Sequence, residues 1–166
     1  VYGDGDDDDI VGRSDGDGDA DSPRGYYDGD DATVRSFGGA AGARDKLLVT
    51  ALLERYYAAA ATRDGKDACS MIVSARRRAL PQTLGRPPGP SYLRGDSCHA
   101  VVSKLFGVFH RQIVAFARTL HVAEVRVRGE LGLALLSSAG FPARQIAVRR
   151  EHGGWRVDAL LEAEFP

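Results

Sequence analysis

The hydrophobic period of this chain changes at Leu120, and no other feature constrains the fold as strongly. Before that point apolar residues recur at helical spacing; after it they alternate with charged or small ones. Val125 and Val127 alternate with Arg126 and Arg128, and Leu131, Leu133 and Leu135 with Gly132 and Ala134. Ile146 and Val148 alternate with Ala147 and Arg149, and Trp155 and Val157 with Arg156 and Asp158. Successive side chains of a strand point to opposite faces, so the pattern predicts four half-buried strands. The joins at Gly129-Glu130, Ser138 to Pro142 and His152 to Gly154 are too short for a crossover, which makes neighbours antiparallel. Gly153-Gly154 is placed to supply the positive φ of a tight hairpin. The apolar set Val125, Val127, Leu131, Leu133, Leu135, Ile146, Val148, Trp155 and Val157 is expected to face inward, and the Arg-bearing face to meet water.

The earlier part reads as three helices. Asp45 is the expected N-cap of an amphipathic helix to about Thr62, with Leu48, Leu52, Arg55 and Tyr56 in one band. Asp67 is the expected cap of a second, carrying Cys69, Met71, Ile72 and Val73 and stopping at Arg76, Arg77, Arg78 and Pro81. From Pro81 to Asp96 the chain is rich in Pro and Gly and reads as an irregular crossing loop, long enough to act as a lid or arm. Ser97 then opens a long helix to about Leu120, the main core helix, with Val101, Val102, Leu105, Phe106, Phe109, Ile113, Phe116 and Ala117 at helical spacing. Helices followed by strands give an α+β class: three N-terminal helices on a curved antiparallel sheet of about four strands.

With 166 residues, 43% of them hydrophobic, the chain has room for one domain with a real core and a tail. Charge divides it sharply. Residues 1 to 31 hold twelve of the 23 acidic side chains against Arg13 and Arg24 alone, leaving −10 there and +9 in the remainder. Residues 1–40 are therefore expected to form an Asp/Gly-rich acidic tail or linker, and 41–166 the domain, with Tyr26, Tyr27, Val34 and Phe37 as the first groups able to grip a surface. The preference for Arg over Lys matches a high-GC genome. Asp15, Asp17, Asp19 and Asp21 begin an EF-hand pattern, but Ala20 stands where Gly belongs and Pro23 and Tyr26 take the ninth and twelfth positions, so no metal site is assigned. No run of 18 apolar residues occurs, and the Asp-rich start is not a signal peptide; membrane attachment is expected only through an anchor ahead of Val1. Cys69 and Cys98 are compatible with two buried thiols or with a bridge closing a loop of about 30 residues, worth about 3 to 4 kcal/mol in loop entropy.

The order of these pieces resembles the NTF2-like superfamily (SnoaL-like, cystatin-like cone), in particular exported, lipoprotein-type actinobacterial members of unknown function. The resemblance runs from Asp45 to about Leu161. It rests on the Tyr56-Tyr57 helix followed by Gly65, on Ser97-Cys98 opening a long helix, and on the closing strand Gly153-Gly154-Trp155-Arg156-Val157-Asp158. It implies a curved sheet wrapped by three helices around a cavity, export to the cell envelope or beyond, and a disulfide between Cys69 and Cys98. It implies no single activity, because such folds host enzymes and binding modules alike.

None of the residues assigned inward on the strands titrates, so a catalytic pair has to come from the helices. His110 is the candidate acid or base, with Tyr56 or Tyr57 as hydrogen-bond donor. The expected pocket is lined by Tyr56, Tyr57, Phe106, Phe109, His110, Val127, Leu133 and Trp155. No sequence pattern calls for a cofactor. Arg126, Arg128, Arg149 and Arg156 are expected on the solvent face, available to an anionic surface or to the acidic tail itself, with no interleaved aromatics to favour nucleic acid. The leading expectation is a non-enzymatic exported domain binding an apolar small ligand or a protein partner. A small-molecule isomerase, cyclase or dehydratase and a homodimerisation module are the alternatives.

Overall fold

The computed structural model describes residues 28–160, and the helices and strands named below are those among the described residues. Helix α1 (Asp28–Ser36) leads into a two-residue strand, β1 (Gly39–Ala40). The helical layer follows: α2 (Ala43–Ala61), α3 (Gly65–Met71), α4 (Ser74–Thr83), a 3₁₀ turn (Ser91–Leu93), α5 (Cys98–Val108) and α6 (His110–Arg118). Strands β2 (His121–Arg128), β3 (Leu131–Ser138), β4 (Phe141–Glu151) and β5 (Gly154–Val157) complete an open antiparallel meander in the order β1-β2-β3-β4-β5. The α+β class and the antiparallel sheet agree with the sequence reading. Element counts differ: six helices rather than three, and a fifth strand too short to show any alternation.

Three helix boundaries move for local reasons. Gly42, not Asp45, is the N-cap of α2, which frees the Asp45 carboxylate for the sheet. Asp64, not Asp67, caps α3 by accepting from the Asp67 N–H at 2.9 Å, and Asp67 instead takes the Arg55 guanidinium. The expected second helix is two helices, because Ile72 and Val73 are extended and reach β5; the Val73 N–H donates to the Val157 carbonyl at 3.0 Å. Past that break, α4 runs through Pro81 to Thr83, so the irregular loop starts later than the sequence suggests. Ser97 does cap α5, accepting from the Ala100 N–H. The long helix bends by 81° at Phe109, which divides it into α5 and α6.

The register assigns the two sheet faces. Val125 pairs with Ala134 and Ala134 with Ile146; Val127 pairs with Gly132, Gly132 with Val148 and Val148 with Val157. Laterally paired residues share a face, so on β3 the inward side chains are Gly132, Ala134 and Leu136. Leu131, Leu133 and Leu135 lie on the opposite face beside Arg126, Arg128 and Arg149, contrary to the expectation that they face inward. The reason is steric. A Cβ on Gly132 would meet Val148 Cγ2 at 2.7 Å and Trp155 Cζ3 at 3.3 Å, so the small residues of β3 are where the sheet makes room for Trp155. A bulge between Val122 and Glu124 turns both Val122 and Val125 inward. The tight turn before β5 is His152-Gly153, both at positive φ, one residue earlier than Gly153-Gly154.

The outer face is not bare. Helix α1 lies across β2, β3 and β4, with Val34 fully buried, and Arg126 donates to the carbonyls of Phe37 and Gly38 at 3.0 and 2.9 Å. The Arg128 guanidinium stacks 4.6 Å from the Phe37 ring centroid. Packed structure is present ahead of residue 40: α1 touches β2, β3 and β4, Leu135 is buried on that face, and β1 pairs with β2. The main core lies on the other face, between the sheet and α2, α3, α5 and α6.

Candidate functional site

Three of the side chains nominated for an internal pocket pack against one another in the core, and Tyr57 also borders an opening of about 450 Å³ between α2 and α6. Tyr56, Tyr57 and Phe106 have no exposed surface. Tyr56 meets Tyr57 edge to face at a centroid distance of 5.8 Å and Phe106 at 6.1 Å; Tyr57 tilts on Phe116 at 5.1 Å, and Phe116 meets Phe141 edge to face at 5.4 Å. This aromatic chain between α2, α5, α6 and β4 is core packing of the offset, edge-on kind that ring quadrupoles favour. Arg144, buried on the inner face, lies against the same cluster, 5.2 Å from the Phe116 centroid. Phe109 is half-buried at the α5–α6 bend, Val127 is half-buried on the inner face, and Leu133 is on the outer face altogether.

Trp155 is brought instead into a polar cluster at the start of α2. Asp45 accepts from Trp155 Nε1 at 3.0 Å and from Arg150 Nη2 at 2.8 Å, while the Arg150 guanidinium stacks 4.8 Å from the Trp155 ring centroid. Every polar group there has a partner, so the cluster fastens α2 to the β4–β5 hairpin.

His110 is the first residue of α6, and its Nδ1 is buried without a hydrogen bond. It borders a shallow groove of about 320 Å³ with Arg111, Val114, Ala115 and Arg118. Among the described residues, neither Tyr56 nor Tyr57 lines that groove, and no carboxylate does. Among the described residues no group of three or more His, Cys, Asp or Glu side chains is placed to hold a metal ion. The Asp15, Asp17, Asp19 and Asp21 pattern lies outside the described residues.

A wider opening, about 700 Å³, lies elsewhere, between α4 and the adjoining ends of β4 and β5. Its floor is Val73, Ala79, Leu80, Leu84 and Leu160; its rim is Arg76, Arg149, Glu151 and Asp158. Asp158 accepts from Arg76 Nε at 3.3 Å and from Arg149 Nε at 2.9 Å, and Arg76 Nη2 reaches the Asp158 carbonyl at 3.1 Å. One carboxylate thus holds two guanidinium groups over an apolar floor, with Arg149 about half exposed. Asp158 points away from Trp155, as alternation predicts.

Glu151 sets the position of α4. Val73 offers that helix no side-chain cap, and the Glu151 carboxylate takes the role from across the chain, accepting from the Ser74 N–H at 3.2 and 3.1 Å and from its hydroxyl at 3.0 Å. These bonds hold the Glu151 pKa below the usual carboxylate value: the Ser74 N–H bond is the main cause, burial opposes it, and the Ser74 hydroxyl, His152 and Arg156 add to it.

A disulfide joins Cys69 of α3 to Cys98 at the start of α5, with Cα atoms 6.2 Å apart. Gly65 allows the approach, since a Cβ there would run into Ser103 Oγ and the His99 carbonyl. A bonded pair in a chain with no free cysteine fits folding in an oxidising compartment. The chain matches no known protein family, no curated protein and no solved structure. Its function rests on these sites alone.

The α4 groove is the site the sequence reading missed. Its walls come from a helix read as ending at an Arg triplet and from strand residues read as solvent-facing; the one local signal was Asp158 lying within reach of so many arginines.

Proposed function

We propose that the chain is a non-catalytic, exported binding domain of the NTF2-like kind, and that its ligand sits in the groove beside α4 rather than inside the cone. The observation that carries this is the packed interior: Tyr56, Tyr57 and Phe106 are fully buried against one another, and among the described residues no carboxylate lines the groove beside His110. The groove supplies what a binding site needs, an apolar floor and a few converging polar groups, in a volume within the usual range for small molecules. Its rim offers guanidinium donors and carboxylate acceptors together, which suits an uncharged or zwitterionic apolar molecule with one hydrogen-bonding end. The disulfide supports export.

Native mass spectrometry of the full chain purified from its producing cells tests the reading. The expected result is a retained small molecule, lost when Ala79→Trp fills the groove floor while the circular dichroism spectrum stays unchanged. Retention undiminished in Ala79→Trp would place the ligand elsewhere, and turnover of any substrate that disappears in His110→Ala would overturn the non-catalytic reading.

A further inference from the structure

We propose that the exposed basic residues of helices α4, α5 and α6 are the docking sites for this chain's own Asp-rich N-terminal segment, residues 1–27. The sheet arginines that the sequence offered for such a role are already engaged. Arg126 is bonded to the Phe37 and Gly38 carbonyls, Arg128 stacks on Phe37, Arg149 holds Asp158, and Arg156 donates to the Trp155 carbonyl at 3.3 Å. The uncommitted positive charge lies on the helices. From residue 68 to residue 123 there are eight Arg or Lys and a single acid, Asp96. Arg77 and Arg78 on α4, and Arg111 and Arg118 on α6, are exposed and form no ion pair among the described residues. Helix α5, which touches both α4 and α6, adds exposed Lys104, bonded only to the Arg94 carbonyl.

The complementary charge is in the same chain. Residues 1–27 carry nine Asp against Arg13 and Arg24. Twenty-seven residues span at most roughly 90 Å when extended, well beyond the radius of gyration of about 14 Å expected for a domain of this size, so every face is within reach. Each exposed pair is worth little and is screened by salt, but several pairs on one covalent tether gain from a high effective concentration. The docked segment would make an outside polyanion compete for the layer.

A nitroxide attached to Ser14→Cys in the full chain tests this, since both native cysteines are bonded to each other. Amide signals are compared before and after the label is quenched with ascorbate, at about 20 mM and about 500 mM NaCl, where the screening length falls severalfold. The expected result is at least about twofold weakening of the Arg77, Arg78, Arg111 and Arg118 amides at low salt, recovering at high salt. The weakening should vanish in a variant with these four arginines changed to Gln. Should that variant not fold, changing Asp6, Asp7, Asp8 and Asp9 to Asn leaves the layer intact and is expected to reduce the effect. Weakening that ignores salt, is absent, survives both sets of changes, or centres on the Arg126 and Arg156 face overturns the proposal.

Discussion

Gly132 occupies the tightest point on the inner face of the sheet, where β3 passes under Val148 and Trp155. Adding a branched side chain forces one of them to move, and overpacking of this kind costs about 1–3 kcal/mol. Gly132→Val is expected to lower the unfolding free energy by that amount in urea denaturation and, because Trp155 is the sole tryptophan, to change the intrinsic fluorescence of the folded state. Asp45 is the second residue on which Trp155 depends. Asp45→Ala removes the acceptor for Trp155 Nε1 and Arg150 together, with an expected cost of about 1–2 kcal/mol and a red-shifted emission; Asp45→Asn, which keeps an oxygen for the indole, is expected to recover most of the emission. The sequence marked Trp155 as buried and Asp45 as important to α2, but not that they touch. Alternation shows that residues i and i+2 share a face without saying which face. On β3 leucines and small residues alternate, hydrophobicity favoured the leucines as the inward set, and the volume of Trp155 on β5 decided otherwise.

Helix α4 shows how an element can be stabilised from outside its own sequence. It has no capping side chain, and Glu151, at the far end of β4, satisfies its first turn. The folded-state pKa of Glu151 lies below its unfolded value, so the native state favours the ionised carboxylate. The stabilisation is complete above the unfolded pKa, near 4.3, and is lost as pH falls through the lower folded value. Glu151→Gln is expected to flatten the stability-versus-pH curve on the acid side of about pH 4.3 and leave its slope near neutrality alone, as read from urea midpoints at a series of pH values. An unchanged acid limb would show that Glu151 does not hold α4. This cap was illegible in the sequence because it links residues 77 positions apart. The same holds for α1: its composition is that of a tail, yet Val34 and Phe37 are enough to seat it on a face that already presents Leu135 and two guanidinium groups. Local signals served better where both partners were close, as with Ser97 and α5.

Over the whole molecule, the disulfide and the open sheet set the stability. The meander leaves its helices to close the structure, and α3 and α5 are the pair that Cys69–Cys98 fastens, with the α4 groove built on the chain between those two cysteines. Removing the bridge frees a 29-residue separation in the unfolded ensemble, at a cost of about 3–4 kcal/mol by the loop-entropy argument. The double variant Cys69→Ser, Cys98→Ser is expected to lose that much unfolding free energy and to unfold at a lower urea midpoint. Its m value is expected to rise, because the uncrosslinked unfolded chain exposes more surface. Such a loss is a large fraction of the margin of a small domain, so the variant is also expected to accumulate poorly at 37 °C. Equal midpoints with and without the bridge would mean that the packing of Met71, Val102 and Phe106 between α3 and α5 holds the layer unaided. The groove would then keep its shape in a reducing compartment, and the disulfide would cease to be a reason for placing the protein outside the cell.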